Sequence, residues 1–126
     1  MEPEKVHSYR DLIVWQKSME LVVALYSLTE EFPQREIYGI TSQMWRAAVS
    51  IPSNIAEGWR RGTKKGYRHF LLIAYGSESE LETQLDICKR LPLGQKVNFS
   101  FVESLLNEVM RMLNVMIHKL SSPSTS

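Results

Sequence analysis

An all-α, antiparallel up-down-up-down four-helix bundle is the fold class this sequence predicts, and three observations predict it. Apolar residues recur in steps of three and four through four separate segments, while no segment shows the strict alternation of a half-buried strand. The links between those segments are short, which forces neighbouring helices to run antiparallel. Finally, 126 residues, 44% hydrophobic and 23% charged, suit one soluble domain with a core of ordinary size. The bundle is expected over residues 11–120, between an N-terminal arm (1–10) and the polar tail "SSPSTS" (121–126).

The first helix is expected from about Asp11 to Glu31. Leu12, Trp15, Met19, Val22 and Tyr26 share one face, Asp11 is placed to cap the start, and Phe32-Pro33 ends it because a residue before proline avoids helical angles. A second apolar stripe, Val14, Leu21, Leu25 and Leu28, runs beside the first. The second helix begins near Ile37 and keeps its rhythm through Ile40, Met44, Ala47, Ile51 and Ile55, with Gly58 or Gly62 as the stop.

Pro52 interrupts that second pattern. An interior proline removes a hydrogen bond and costs about 3 kcal/mol or more. The apolar steps Ala48, Ile51, Ile55 and Gly58 nevertheless stay in phase across it, so one continuous helix, kinked at Pro52, is expected rather than a break with Ser50 capping a new helix. Ser50, Ser53 and Asn54 are placed to satisfy freed carbonyls.

The third helix runs from about Thr63 to Leu91, with Phe70, Ala74, Ser77, Leu81 and Cys88 in register, and Pro92 and Gly94 close it. Ser100, with Glu103 three residues on, has the form of a capping box opening the fourth helix. Val102, Leu105, Val109, Met112 and Met116 line its face, and Leu106, Met110, Leu113, Ile117 and Leu120 form a second stripe. Two stripes on helices one and four exceed what one bundle core requires, so self-association is expected.

Net charge is only +1, so attraction to nucleic acid must come from local clustering. One cluster exists. Arg60, Arg61, Lys64, Lys65 and Arg68 occur with no acidic residue between Glu57 and Glu78, and Trp59, Tyr67 and His69 are interleaved with them. Arg60 and Arg61 suit the C-terminus of a helix, whose dipole favours cations. Lys64 and Lys65 open the next helix, where the dipole disfavours them, and a local rule broken without structural gain points to binding. Phosphate is the matching ligand, which marks these five residues as a candidate nucleic-acid-binding set.

Other chemistries find little support. Glu78, Glu82 and Asp86 share a helix face, yet His7, His69 and His118 make none of the Glu-x-x-His spacings of a di-metal bundle, so a solvated acidic stripe is expected and no metal. Cys88 falls on the apolar face, where it packs rather than reacts, and it excludes an internal disulfide by being alone. Serines occur without a partnering His and Asp, and there is no phosphate-binding glycine loop. No enzyme activity, cofactor or small-molecule substrate is expected. The opening "MEPEKVHSYRD" lacks the apolar segment of a signal peptide, and Lys17 and Glu20 break the first apolar run before it could span a bilayer. A cytoplasmic protein without membrane contact is expected.

Four stretches, "DLIVWQKSMELV", "YGITSQMWRAAVSIPSNIAEGWRRG", "FLLIAYGSESELETQL" and the terminal "ML…HKL", together resemble the bacterial four-helix-bundle family linked to intervening sequences of 23S rRNA genes. The Ser50–Gly58 core, "SIPSNIAEG", is the most specific of them. That family is similar in structure to the accessory protein of diversity-generating retroelements, a homopentameric bundle that binds nucleic acid and a reverse transcriptase. The resemblance implies a ring of bundles, a homopentamer. It leaves two functions: a sequence-independent RNA- or DNA-binding accessory protein, or a structural adaptor ring for a protein partner.

Overall fold

A computed structural model describes residues 5–121. Four α-helices follow in order: α1 (Ile13–Thr29), α2 (Ser42–Arg60), α3 (Lys64–Arg90) and α4 (Ser100–Leu120). No strand occurs among the described residues. Helix α1 packs on α2 and α4, and α3 packs on the same two, so α1 and α3 occupy opposite corners of an antiparallel four-helix bundle. Most of the expected tail lies outside the described residues.

The starts of α1 and α2 differ from the sequence expectation. Asp11 does not cap α1; it lies in a 3₁₀ turn (Tyr9–Asp11), where its carboxylate accepts from the main-chain N–H groups of His7 and Ser8 at 2.9 and 3.1 Å. Ser8 caps that turn in return, through the N–H of Arg10. The arm is therefore folded against the bundle from Ser8 onward, with Tyr9 edge-on to Trp15 at 5.4 Å. Ahead of α2, a π-helical turn covers Ile37–Thr41, broken by the non-helical angles of Gly39, and regular α-helix starts only at Ser42.

The core-facing stripe of α1 is also not the one first assigned. Val14, Ser18, Leu21, Leu25 and Leu28 are buried, while Met19 and Tyr26 are exposed. Trp15 and Val22 pack at the flank. Two adjacent stripes satisfy the same helical period, and polar tips decide between them. Tyr26 stacks on Trp45 at 4.7 Å, and the Trp45 indole N–H donates to Thr29 Oγ1 at 3.0 Å, an arrangement available only at the rim between α1 and α2. On α4 the core takes members of both stripes, Val102, Leu105, Leu106, Val109, Leu113 and Ile117. Much of the surplus apolar surface read from the sequence is thus the core itself. The apolar side chains left outside include Met19 and Tyr26 of the first stripe, and also Ile13, Val23, Phe101 and Val115, which neither stripe contains.

The Ser100–Glu103 capping box does not form. Phe99 takes the cap position, Asn98 Oδ1 accepts from the N–H and hydroxyl of Ser100, and Glu103 turns instead to an ion pair with Lys89 of α3.

Helix α2 runs unbroken through Pro52, as the apolar phase predicts. Beside it, Ser53 Oγ donates to the Val49 carbonyl and Asn54 Nδ2 to that of Ser50, both at 2.8 Å. Ser50 Oγ accepts from Asn54 and from Ser77 Oγ of α3 at 2.8 Å. Gly58 closes the same seam, because a Cβ there would fall 2.9 Å from Phe70 Cβ and 3.1 Å from the Tyr67 carbonyl oxygen. The "SIPSNIAEG" stretch is therefore a code for close packing of α2 on α3. Cys88 is buried against Met44, with Sγ 3.8 Å from Sδ, and burial pushes its thiol up to about 11, aided by Glu36.

Candidate nucleic-acid interface

Up-down topology gathers the start of α1, the end of α2, the start of α3 and the end of α4 at one end of the bundle. The turn between α2 and α3 is two residues beyond Arg61, and Gly62 makes it possible with φ of 79°, a left-handed angle that favours glycine. Thr63 then caps α3, its hydroxyl accepting from the Gly66 N–H at 3.0 Å.

This local geometry sorts the five candidate cations. Lys64 and Lys65 are the first two residues of α3, exposed, and in no ion pair among the described residues. Their own N–H groups are among those a helix start leaves without intrahelical partners. Arg60 ends α2 with its guanidinium 5.4 Å from the Tyr9 ring centroid. Arg61 is committed within the fold, at 2.9 Å from Glu57 and 4.7 Å over the Phe70 ring. Arg68 is drawn inward, and its Nε donates to the Ile117 carbonyl at 3.3 Å, where it complements the negative end of α4. Arg60, Lys64 and Lys65 are the exposed members of the set in no ion pair among the described residues, and Arg61, also exposed, is paired with Glu57.

Sequence reasoning missed one neighbour. The Arg10 guanidinium lies 4.7 Å from the Tyr9 ring centroid, so Tyr9 sits within reach of two guanidinium groups, Arg10 and Arg60. Fifty positions separate these residues in sequence, and only the antiparallel topology joins them. His118 and Lys119, exposed in the last turn of α4, add to the same end. The carboxylates there are occupied: Asp11 by its own turn and Glu57 by Arg61. Among the described residues this end carries a surplus of positive charge, although the chain as a whole is near neutral.

The interleaved aromatics divide as well. Tyr67 is half-buried against Gly58, its hydroxyl has no partner, and burial pushes its phenol up to about 12. It packs the bundle end with its hydroxyl buried. His69 is exposed and edge-on to Phe70 at 5.1 Å.

The acidic stripe on α3 needs one correction. Glu82 and Asp86 are exposed, but Glu78 is buried at 1% exposure with Oε2 unpartnered. Burial pushes its carboxyl up to about 7; the Glu82 carboxylate adds to the rise and a hydrogen bond with Ser79 opposes it. Every fourth position on a helix does not keep one face over two turns in a bundle, so the stripe drifts into the core at Glu78. Among the described residues, no group of three His, Cys, Asp or Glu side chains is arranged to hold a metal ion. No helix there is long and apolar enough to cross a membrane.

The fold and this end together define an all-α bundle subunit with one cationic pole. Over residues 10–115 the chain matches the family model of the 23S rRNA-intervening sequence protein, and it belongs to that family. No curated protein matches it.

Proposed function

We propose that this protein is a non-enzymatic, self-associating accessory protein that binds RNA or DNA without sequence preference through the cationic pole of its bundle. One observation carries the reading: Lys64 and Lys65 stand at the start of α3, where the helix dipole disfavours them, and among the described residues neither is in an ion pair that would repay the cost. Arg60 and Arg10 extend the surface toward α1, with Arg61 and Arg68 behind it. Flexible cations of this kind contact phosphates, which explains affinity without base recognition. A ring of copies, five by the family resemblance, would repeat the pole around one rim and multiply weak contacts through avidity.

The alternative, an adaptor ring for a protein partner, makes the cations incidental. A filter-binding titration with single- and double-stranded RNA and DNA separates the two. Retention at low salt that falls steeply as salt rises, and is lost in the Lys64→Glu plus Lys65→Glu variant, supports the binding role. Absence of retention at low salt, or retention indifferent to both substitutions, overturns it.

A further inference from the structure

Gly76 lies exposed in the middle of α3, and a Cβ there would meet nothing within 4 Å. Glycine is a poor helix interior residue compared with alanine, and no neighbour in this chain requires it. On the same outward face stand Leu72, Ile73 and Ile87, each about 40% exposed, with the carboxylate of Glu80 beside them. Leu72 and Ile73 form a short apolar ridge beside the notch at Gly76, with polar Ser79, Glu80 and Thr83 separating them from Ile87.

A complementary surface lies across the bundle. Between the start of α1 and the last turns of α4 is an apolar groove of about 730 Å³, floored by Leu12, Ile13, Met112, Val115 and Met116. Lys5 and Arg111 stand at its edges, in no ion pair among the described residues, and Asp11, the one carboxylate lining it among those residues, is turned onto the backbone of its own turn. Ridge and groove also share a height. Arg68 reaches Ile117, and Glu82 and Leu85 stand across from Glu103 and Leu106, which places Gly76 level with α4 residues 110–112.

We propose that the Gly76 face of α3 in one copy docks into the α1–α4 groove of a second copy. The inference rests on the self-association in the proposed function and names the surfaces that carry it. Glu80 then comes within one helical turn of the height of Arg111, opposite in sign, and the notch at Gly76 lets the helices approach closely. The contact is head-to-tail, so every copy donates one face and accepts on the other. Because the two surfaces lie at similar heights, repetition adds little rise, and where the rotation between copies closes it gives a ring with all cationic poles on one rim.

Two variants test this, Ile73→Asp on the ridge and Val115→Asp in the groove, both at exposed positions. Light scattering should give an assembled wild type and two monomeric variants, with circular dichroism confirming that each is folded. Mixed in equal amounts, the variants should form a one-to-one heterodimer and nothing larger, since one intact ridge and one intact groove remain. As a second readout, Glu80→Arg and Arg111→Glu should each weaken assembly and together restore it. A monomeric wild type, a mixture that stays monomeric, or a charge exchange without rescue overturns the contact. A Val115→Asp variant that still dimerises points to α3 on α3 and overturns it too. None of these outcomes touches nucleic-acid retention by a folded monomer, which depends on Lys64 and Lys65 and is measured separately.

Discussion

The inward and outward faces of α3 are built from similar residues, apolar side chains interrupted by small ones, but this chain explains only the inward face. Facing α2, Ser77 bonds Ser50 at 2.8 Å, and Gly58 admits Phe70 and Tyr67 where any side chain would collide. Facing outward, Gly76 has open space around it and apolar neighbours that nothing among the described residues covers. A small residue inside a helix marks a close approach. Where the approaching element belongs to the same chain, its contacts identify it; where none does, the residue points to another molecule.

The largest effect expected on the inward face comes from Glu78. Its folded state holds the proton more tightly than the unfolded chain, whose carboxyl keeps its ordinary value of 4.5. The stability linked to this group is therefore full below that value and is lost as pH rises through about 7. Glu78→Gln removes the loss. The variant should exceed its parent by on the order of 3 kcal/mol at pH 8 and match it near pH 4, read from urea unfolding at both values.

Next in size is a contrast between the two glycines. Gly58→Ala forces a methyl against Phe70 Cβ and the Tyr67 carbonyl, one of them immobile backbone, and should cost about 2 kcal/mol. Gly76→Ala, measured in the Val115→Asp background where copies cannot pair, should instead stabilise by roughly 0.8 kcal/mol through helix propensity alone. Chemical denaturation of the two variants side by side checks the opposite signs. Equal losses at both positions would mean that Gly76 has a packing role within the chain.

Helix number, order and direction were legible because apolar period and short links are local properties. The course of α2 through Pro52 was legible for the same reason, since Ile51 and Ile55 keep phase across it. What escaped the sequence depended on competition between equivalent local choices. Both stripes of α1 fit the period, and rim contacts of Tyr26 and Trp45 settled which faces inward. Ser100 and Glu103 had the spacing of a capping box, but Lys89 of another helix took the glutamate. Glu78 looked like one of three solvated carboxylates, because burial is set by the neighbours of a position and not by its spacing. In the candidate site, the cluster from Arg60 to Arg68 was visible as a run, while its division into outward and committed residues was not. Arg61 and Arg68 found partners in Glu57 and the Ile117 carbonyl, and Arg10 joined from the turn that leads into α1.

Central to this account is that Lys64 and Lys65 are surplus to the fold and present for a ligand. The most direct test measures thermal unfolding and RNA retention on one preparation of the Lys64→Glu plus Lys65→Glu variant. Acidic residues suit the start of a helix, by about 0.3–1 kcal/mol each, so the variant should melt at or slightly above the wild-type temperature while retention disappears. A lower melting temperature, or unchanged retention, would contradict it.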